Sequence, residues 1–115
     1  MQIQSENVGQ VLVLRLLNSR LDSATAHDFK GKMVDFVLQG HLYLALDLSQ
    51  VEFMDSSGLS ALLSTIKTMQ GRGRLVVFGV GRNVAQLFSL TRLDRGVIEI
   101  HPDQETALQA LNPAD

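Results

Sequence analysis

Tyr43-Leu44-Ala45-Leu46-Asp47-Leu48-Ser49, followed at once by Val51-Glu52-Phe53-Met54-Asp55-Ser56-Ser57-Gly58-Leu59, carries the reading of the fold. Leu42, Leu44, Leu46 and Leu48 with Tyr43 and Ala45 between them make a nearly continuous apolar run, the pattern of a strand covered on both faces, so this strand is expected to be central. Beyond it, Leu59, Leu62, Leu63, Ile66 and Met69 recur at helical spacing while Ser60, Ser64 and Lys67 fall elsewhere, which predicts an amphipathic helix with its stripe turned inward. Asp55-Ser56-Ser57-Gly58 therefore stands at a helix start. Amide groups in a first helical turn lack intrahelical acceptors and carry partial positive charge, so a phosphate on either serine would meet donors there. Two readings are open at this point: Asp55, Ser56 or Ser57 is an N-cap, or the serines form a phosphorylation switch.

Working outward, Gln2 to Val8 and Gln10 to Leu17 read as two short strands joined around Asn7, Gly9 and Gln10, an edge-like hairpin with one wet face. Asp22 or Ser23 offers an N-cap for a helix carrying Ala26, Phe29, Met33, Phe36 and Val37, closed by Gly40. On the other side, Gly71, Arg72 and Gly73 make a turn before Leu75-Val76-Val77-Phe78, expected as a parallel strand. Asn83 to Leu90 predicts a short helix with Val84, Leu87 and Phe88 inward, and Gly96 precedes a last strand at Val97-Ile98-Glu99-Ile100. Pro102 or Asp103 opens a final helix with Ala107, Leu108 and Leu111, and Asn112-Pro113-Ala114-Asp115 is expected to fray. Alternating strands and helices predict a layered α/β fold, a mixed sheet of about five strands with about four helices. With no linker, repeat or low-complexity segment, residues 1–115 are expected to act as one domain.

Composition narrows the function classes. A chain of 115 residues with 45% hydrophobic content can bury a core, and a net charge of −2 offers no broad attraction for nucleic acid. Zero cysteines exclude disulfides, thiolate catalysis and cysteine-held metals. No apolar run reaches the ~18 residues of a membrane span, and Met1-Gln2-Ile3-Gln4-Ser5-Glu6 lacks an export signal, so a cytoplasmic protein is expected.

Enzyme chemistry finds little support. His27, His41 and His101 fall in no metal-ligand spacing, so no metal or cofactor is expected. Asp-Ser-Ser-Gly is not the Gly-x-Ser-x-Gly elbow, and Asp55 cannot replace a histidine base. Gly79-Val80-Gly81-Arg82-Asn83-Val84 begins like a dinucleotide loop but has Val84 where the third glycine belongs, so it reads as a strand-to-helix turn. Arg72, Arg74, Arg82, Arg92 and Arg95 read as solvated surface or rim contacts.

The two central runs, the early Arg20-Leu21-Asp22 and the late Val84-Ala85-Gln86-Leu87-Phe88-Ser89-Leu90-Thr91-Arg92-Leu93 together resemble the STAS family, whose type members are bacterial anti-anti-sigma factors. Ser19 departs from a glycine often found two residues before the leucine of the early motif. The resemblance implies that Ser56 is a phosphoacceptor and that the unphosphorylated protein, a monomer when free, binds a kinase-type anti-sigma factor and so frees a sigma factor. It also implies phosphorylation by that partner or a related serine kinase, with ATP and magnesium belonging to the kinase, and reversal by a PP2C-type phosphatase. Asp22, by the same resemblance, lies near the switch and contributes to the partner interface, or else caps the first long helix. Asp55 positions the serine or caps the helix, Ser57 bonds at the cap or interface, and Gly58 leaves room for a partner backbone or serves the turn. Met54 is either an adaptable interface residue or buried under the helix. Other STAS domains are scaffold subunits of membrane transporters, including lipid-transport complexes, but a scaffold has no chemical need for a serine acceptor. The fold is expected to change little on phosphorylation.

Overall fold

In a computed structural model, residues 1–112 are described. The elements are β1 (Ile3–Val8), β2 (Val11–Leu16), β3 (Arg20–Leu21), α1 (Ala26–Leu38), β4 (Tyr43–Asp47), β5 (Phe53–Met54), α2 (Ser56–Met69), β6 (Arg74–Phe78), α3 (Arg82–Leu90), β7 (Ile100–His101) and α4 (Gln104–Leu111). Five strands form one mixed sheet in the order β1-β2-β4-β6-β7, antiparallel at β1–β2 and parallel elsewhere. The leucine-rich β4 is its middle strand, as its two-sided apolar pattern requires. Of the stretch expected to fray, Asn112 is instead held, its side chain accepting from the Gln10 amide at 3.2 Å and donating to the Val8 carbonyl at 3.1 Å, and residues 113–115 lie outside those described.

Register explains the layers. Leu12, Leu44 and Leu75 lie side by side, as do Leu14, Leu46 and Val77, and they pack into one core with Phe29 and Met33 of α1, Leu62 of α2 and Phe88 of α3. The alternate residues Val13, Ala45 and Val76 face the other way, into a smaller core closed by Ala107 and Leu111 of α4. Period-two alternation on a strand thus feeds two cores at once.

Four sequence expectations are corrected. The hairpin is not an edge pair: β1 alone is the edge, while β2 pairs with β4 and is buried at every residue but Arg15. The last strand is two residues rather than four, because the Ile98 amide donates to the Leu93 carbonyl (2.8 Å), which ties this stretch to the turn after α3 and leaves Ile98 in the larger core. Helix α1 starts at Ala26 with Thr25 as its N-cap, not Asp22 or Ser23, because residues 22–25 form a separate turn in which the Asp22 carbonyl accepts from the amides of Thr25 and Ala26. A second sheet, the parallel pair β3–β5, was not anticipated. Gly40 does close α1: its φ of +96° lets its own amide and that of His41 reach back to Val37 and Phe36. Ser19 needs no positive φ, and its carbonyl accepts from Glu52 and Phe53.

Asp47 ends β4 with a side chain only 5% exposed, accepting from Arg15 Nε at 2.8 Å and from the Ser49 amide at 2.8 Å. Burial pushes its carboxyl up, but the Arg15 guanidinium and Ser49 override this and hold it below its ordinary value. A depressed carboxylate contributes stability that is present above the unfolded pKa of about 4 and is lost as pH falls through the lower folded value. Asp47→Asn should therefore cost about 1–2 kcal/mol at pH 7, discounted for the half-exposed Arg15. The gap from wild type should close below pH ~4, as read by urea denaturation between pH 7 and 3.

Candidate functional site

The Asp55-Ser56-Ser57-Gly58 run lies where β5 hands over to α2. Asp55 has extended backbone (φ −106°, ψ −173°) and is the N-cap: its Oδ1 accepts from the Gly58 amide at 3.0 Å. Its other oxygen accepts from the Ser23 amide at 3.3 Å, so one carboxylate both caps α2 and holds the turn between β3 and α1. The Asp55 amide donates to the Leu21 carbonyl at 3.3 Å, which extends the β3–β5 pairing to the helix start.

That pairing brings the early motif to the switch region. Asp22 immediately follows β3, and its carboxylate accepts from Arg20 Nε at 3.0 Å and from the Ala24 amide at 3.1 Å. The Arg20 bond leads the interactions that hold Asp22 below its ordinary carboxyl value. Arg20 also lies over the Phe53 ring, 4.2 Å from its centroid, so two exposed side chains from β3 and β5 stack beside the site. Periodicity could not reveal Arg20, Ser23 and Phe53 as site neighbours, since a two-residue parallel ladder carries no repeat. The Arg20-Leu21-Asp22 motif was the sole signal.

The remaining candidates separate by burial. Ser56 is the first residue of α2 and is exposed, while Ser57 is half-buried. Met54 is 6% exposed and belongs to the larger core, so of its two readings burial under the helix holds, and its place among the partner-contact candidates is corrected. Gly58 is buried too, and the space it leaves is taken by this chain's own backbone: a Cβ there would lie 2.1 Å from the Leu21 carbonyl oxygen. Helix α2 docks on β3 at that point.

Removing the Asp55 acceptor frees two amides at once. Asp55→Ala should cost about 1–2 kcal/mol, near 4–8 °C in Tm, and should speed amide exchange at both Ser23 and Gly58. A helix-cap effect alone would move Gly58 and leave Ser23 protected.

The other motifs take up structural roles. His41 packs edge-on against Phe36 (centroids 6.3 Å apart), His101 Nε2 lies 2.8 Å from Glu99, and His27 is exposed on α1. Gly79-Val80-Gly81 is a strand-to-helix turn with Gly81 as the N-cap of α3, and Asn83 Nδ2 donates to the Glu52 carbonyl at 3.3 Å. Arg74 forms a two-point pair with Glu99, at 2.8 and 2.6 Å. Among the described residues no cluster of three or more His, Cys, Asp or Glu could hold a metal, and no helix is long and apolar enough to cross a membrane.

Comparison with known proteins follows the same line. The STAS domain family model matches residues 2–107. The anti-sigma-B factor antagonist of Listeria monocytogenes is 32% identical over 81 residues, 70% of this chain and 70% of that protein. The anti-sigma F factor antagonist of Paenibacillus polymyxa is 29% identical over 113 residues, covering 96% and 92% of the two chains. The crystal structure of an anti-sigma factor antagonist from Mycobacterium paratuberculosis superposes with a TM-score of 0.87 at 26% identity, over 96% of this chain and 93% of that one. A family match over nearly the whole chain, relatives of like length and a shared fold place this protein in the STAS domain family.

Proposed function

We infer that the protein is an anti-sigma factor antagonist worked by reversible phosphorylation of Ser56. The carrying observation is Ser56 itself, an exposed hydroxyl on the first residue of α2, next to a carboxylate already committed to capping. The names of its relatives support the antagonist role. Unphosphorylated, the chain binds a kinase-type anti-sigma factor in the cytoplasm and so frees a sigma factor. The same partner or a related serine kinase transfers phosphate to Ser56, and a PP2C-type phosphatase removes it. The protein acts as one unit, monomeric when free, as ligand and substrate with no catalysis of its own and no direct contact with nucleic acid. Asp22 and Ser57 contribute to the partner surface, and Asp55 presents the serine.

The test is intact mass after incubation with ATP, magnesium and each serine kinase of the anti-sigma type from the same genome. A single phosphate, located at Ser56 by fragmentation and absent from Ser56→Ala, is the expected result. No addition by any kinase proven active on another substrate would overturn the switch and point to a constitutive scaffold, as in transporter-associated STAS domains.

A further inference from the structure

Strand β1 is an open edge of the five-stranded sheet. Its even-numbered residues bond to β2, as the Gln2 carbonyl does in accepting from the Leu17 amide at 2.9 Å, so the amides and carbonyls of Ile3, Ser5 and Asn7 point away from the sheet. Among the described residues those groups have no hydrogen-bond partner. Edge strands are commonly blunted by proline, lysine, a bulge or an overhanging element. β1 has none of these: its register with β2 is unbroken, and Gln4, Ser5, Glu6 and Asn7 are exposed, so both faces of the strand stand clear of the helices. An open space of about 450 Å³, lined by Gln4, Ser5, Glu6, Val13 and Arg15, flanks it.

We propose that β1 is a docking edge for a second copy of this chain, paired antiparallel about a two-fold axis at Ser5 so that the two sheets join into one. The strand is complementary to itself in one register. With Ser5 opposite Ser5, Ile3 of each copy meets Asn7 of the other, and every free residue of both strands exchanges its two backbone bonds. The same register sets Gln4 opposite Glu6 of the second copy, twice by symmetry, so each carboxylate faces an amide donor. A two-residue slip one way leaves Asn7 unpaired. The slip the other way leaves Ile3 unpaired and sets Glu6 against Glu6. Six residues make an edge about 20 Å long, too short to cover the roughly 800 Å² per partner of stable dimers, so the dilute chain stays monomeric and pairs where copies are concentrated. The pairing does not depend on the phosphorylation reading.

The chain has no cysteine, so single cysteines report the pairing without interference. The experiment oxidises Ser5→Cys, Asn7→Cys and, off the edge, Ser89→Cys at millimolar protein, all three positions being exposed. Opposite residues in a bonded pair have Cα atoms about 5.5 Å apart, within disulfide range, whereas the two copies of Asn7 lie about 14 Å apart in this register. Disulfide dimer should therefore form about tenfold faster with Ser5→Cys than with either of the others. Sedimentation equilibrium of the cysteine-free chain adds a charge test at the exposed Gln4. Gln4→Lys, which faces Glu6 twice, should tighten self-association about fivefold and Gln4→Glu should weaken it about fivefold, both differences shrinking in high salt. Equal cross-linking at Ser5→Cys and Ser89→Cys would overturn the docking edge for a second copy and leave β1 to a strand of another protein. Fastest cross-linking at Asn7→Cys, or Gln4 variants that shift association in the same direction, would overturn the register and the proposal with it.

Discussion

Phosphorylation of Ser56 is expected to weaken binding to the anti-sigma partner about a hundredfold while leaving the fold in place. The added group brings about −1.5 to −2 charges at neutral pH. The helix start offsets little of this, by about 0.3–1 kcal/mol, and here less than a bare terminus would, because the Gly58 amide is already taken by Asp55. The Asp55 carboxylate also repels the new charge, so the phosphate points outward. Against a partner carboxylate about 5 Å away, each charge meets roughly 3 kcal/mol of repulsion at an effective dielectric near 20. Repulsion at the interface therefore exceeds local capture, and a net ~2.8 kcal/mol is a hundredfold in Kd.

The measurement is isothermal titration of the partner with wild type, the phosphorylated form and Ser56→Ala. Ser56→Ala should bind as wild type does and be locked in the binding state. Amide shifts on phosphorylation should stay near residues 55–58 and the 22–25 turn that Asp55 holds. Widespread shifts across the sheet would mean that the switch works by refolding.

Much of this was legible in the sequence, for reasons that differ from element to element. The apolar run of β4 and the stripe of α2 are long and periodic, so strand, helix and their junction within Asp55-Ser56-Ser57 could be read directly. The Gly40 stop of α1 is local chemistry and was equally visible, as was the start of α4 to within Pro102 and Asp103, of which Asp103 is the cap. What stayed hidden depends on partners distant in sequence. β3 and β5 exist because Arg20-Leu21 meets Phe53-Met54, and two-residue ladders have no period. The run Val97–Ile100 has strand composition throughout, yet Val97 and Ile98 sit in a turn and bend, and Ile98 spends its amide on Leu93. Met54 and Gly58 could each be read as interface or as interior from the motif alone, and it is the mini-sheet beneath α2 that draws both inside.

Gly58→Ala and Gly31→Ala are expected to move stability in opposite directions, although both replace a helical glycine. Alanine is favoured over glycine in a helix by about 1 kcal/mol, and at Gly31 nothing lies within 4 Å of an added Cβ, so that variant should gain about 0.5–1 kcal/mol. At Gly58 the same Cβ would meet the Leu21 carbonyl oxygen at 2.1 Å, its carbon at 2.8 Å and the Leu21 side chain at 3.0 Å. The first two are backbone atoms and cannot rotate aside. Leu21 is fully buried, pairs with Met54 and accepts from the Asp55 amide, so moving it opens the β3–β5 ladder and loosens the Ser23 tie together. The clash outweighs the propensity gain and should leave a net loss of about 3 kcal/mol, near 12 °C in Tm. Thermal melts of the two variants beside wild type decide it. The same pair separates two roles for Gly58: a glycine kept only to admit a partner backbone would lose binding on substitution with its melting temperature intact. A glycine kept for the Leu21 carbonyl loses stability first, and binding falls because the Asp55 cap and the turn that flanks Ser56 no longer hold their shape.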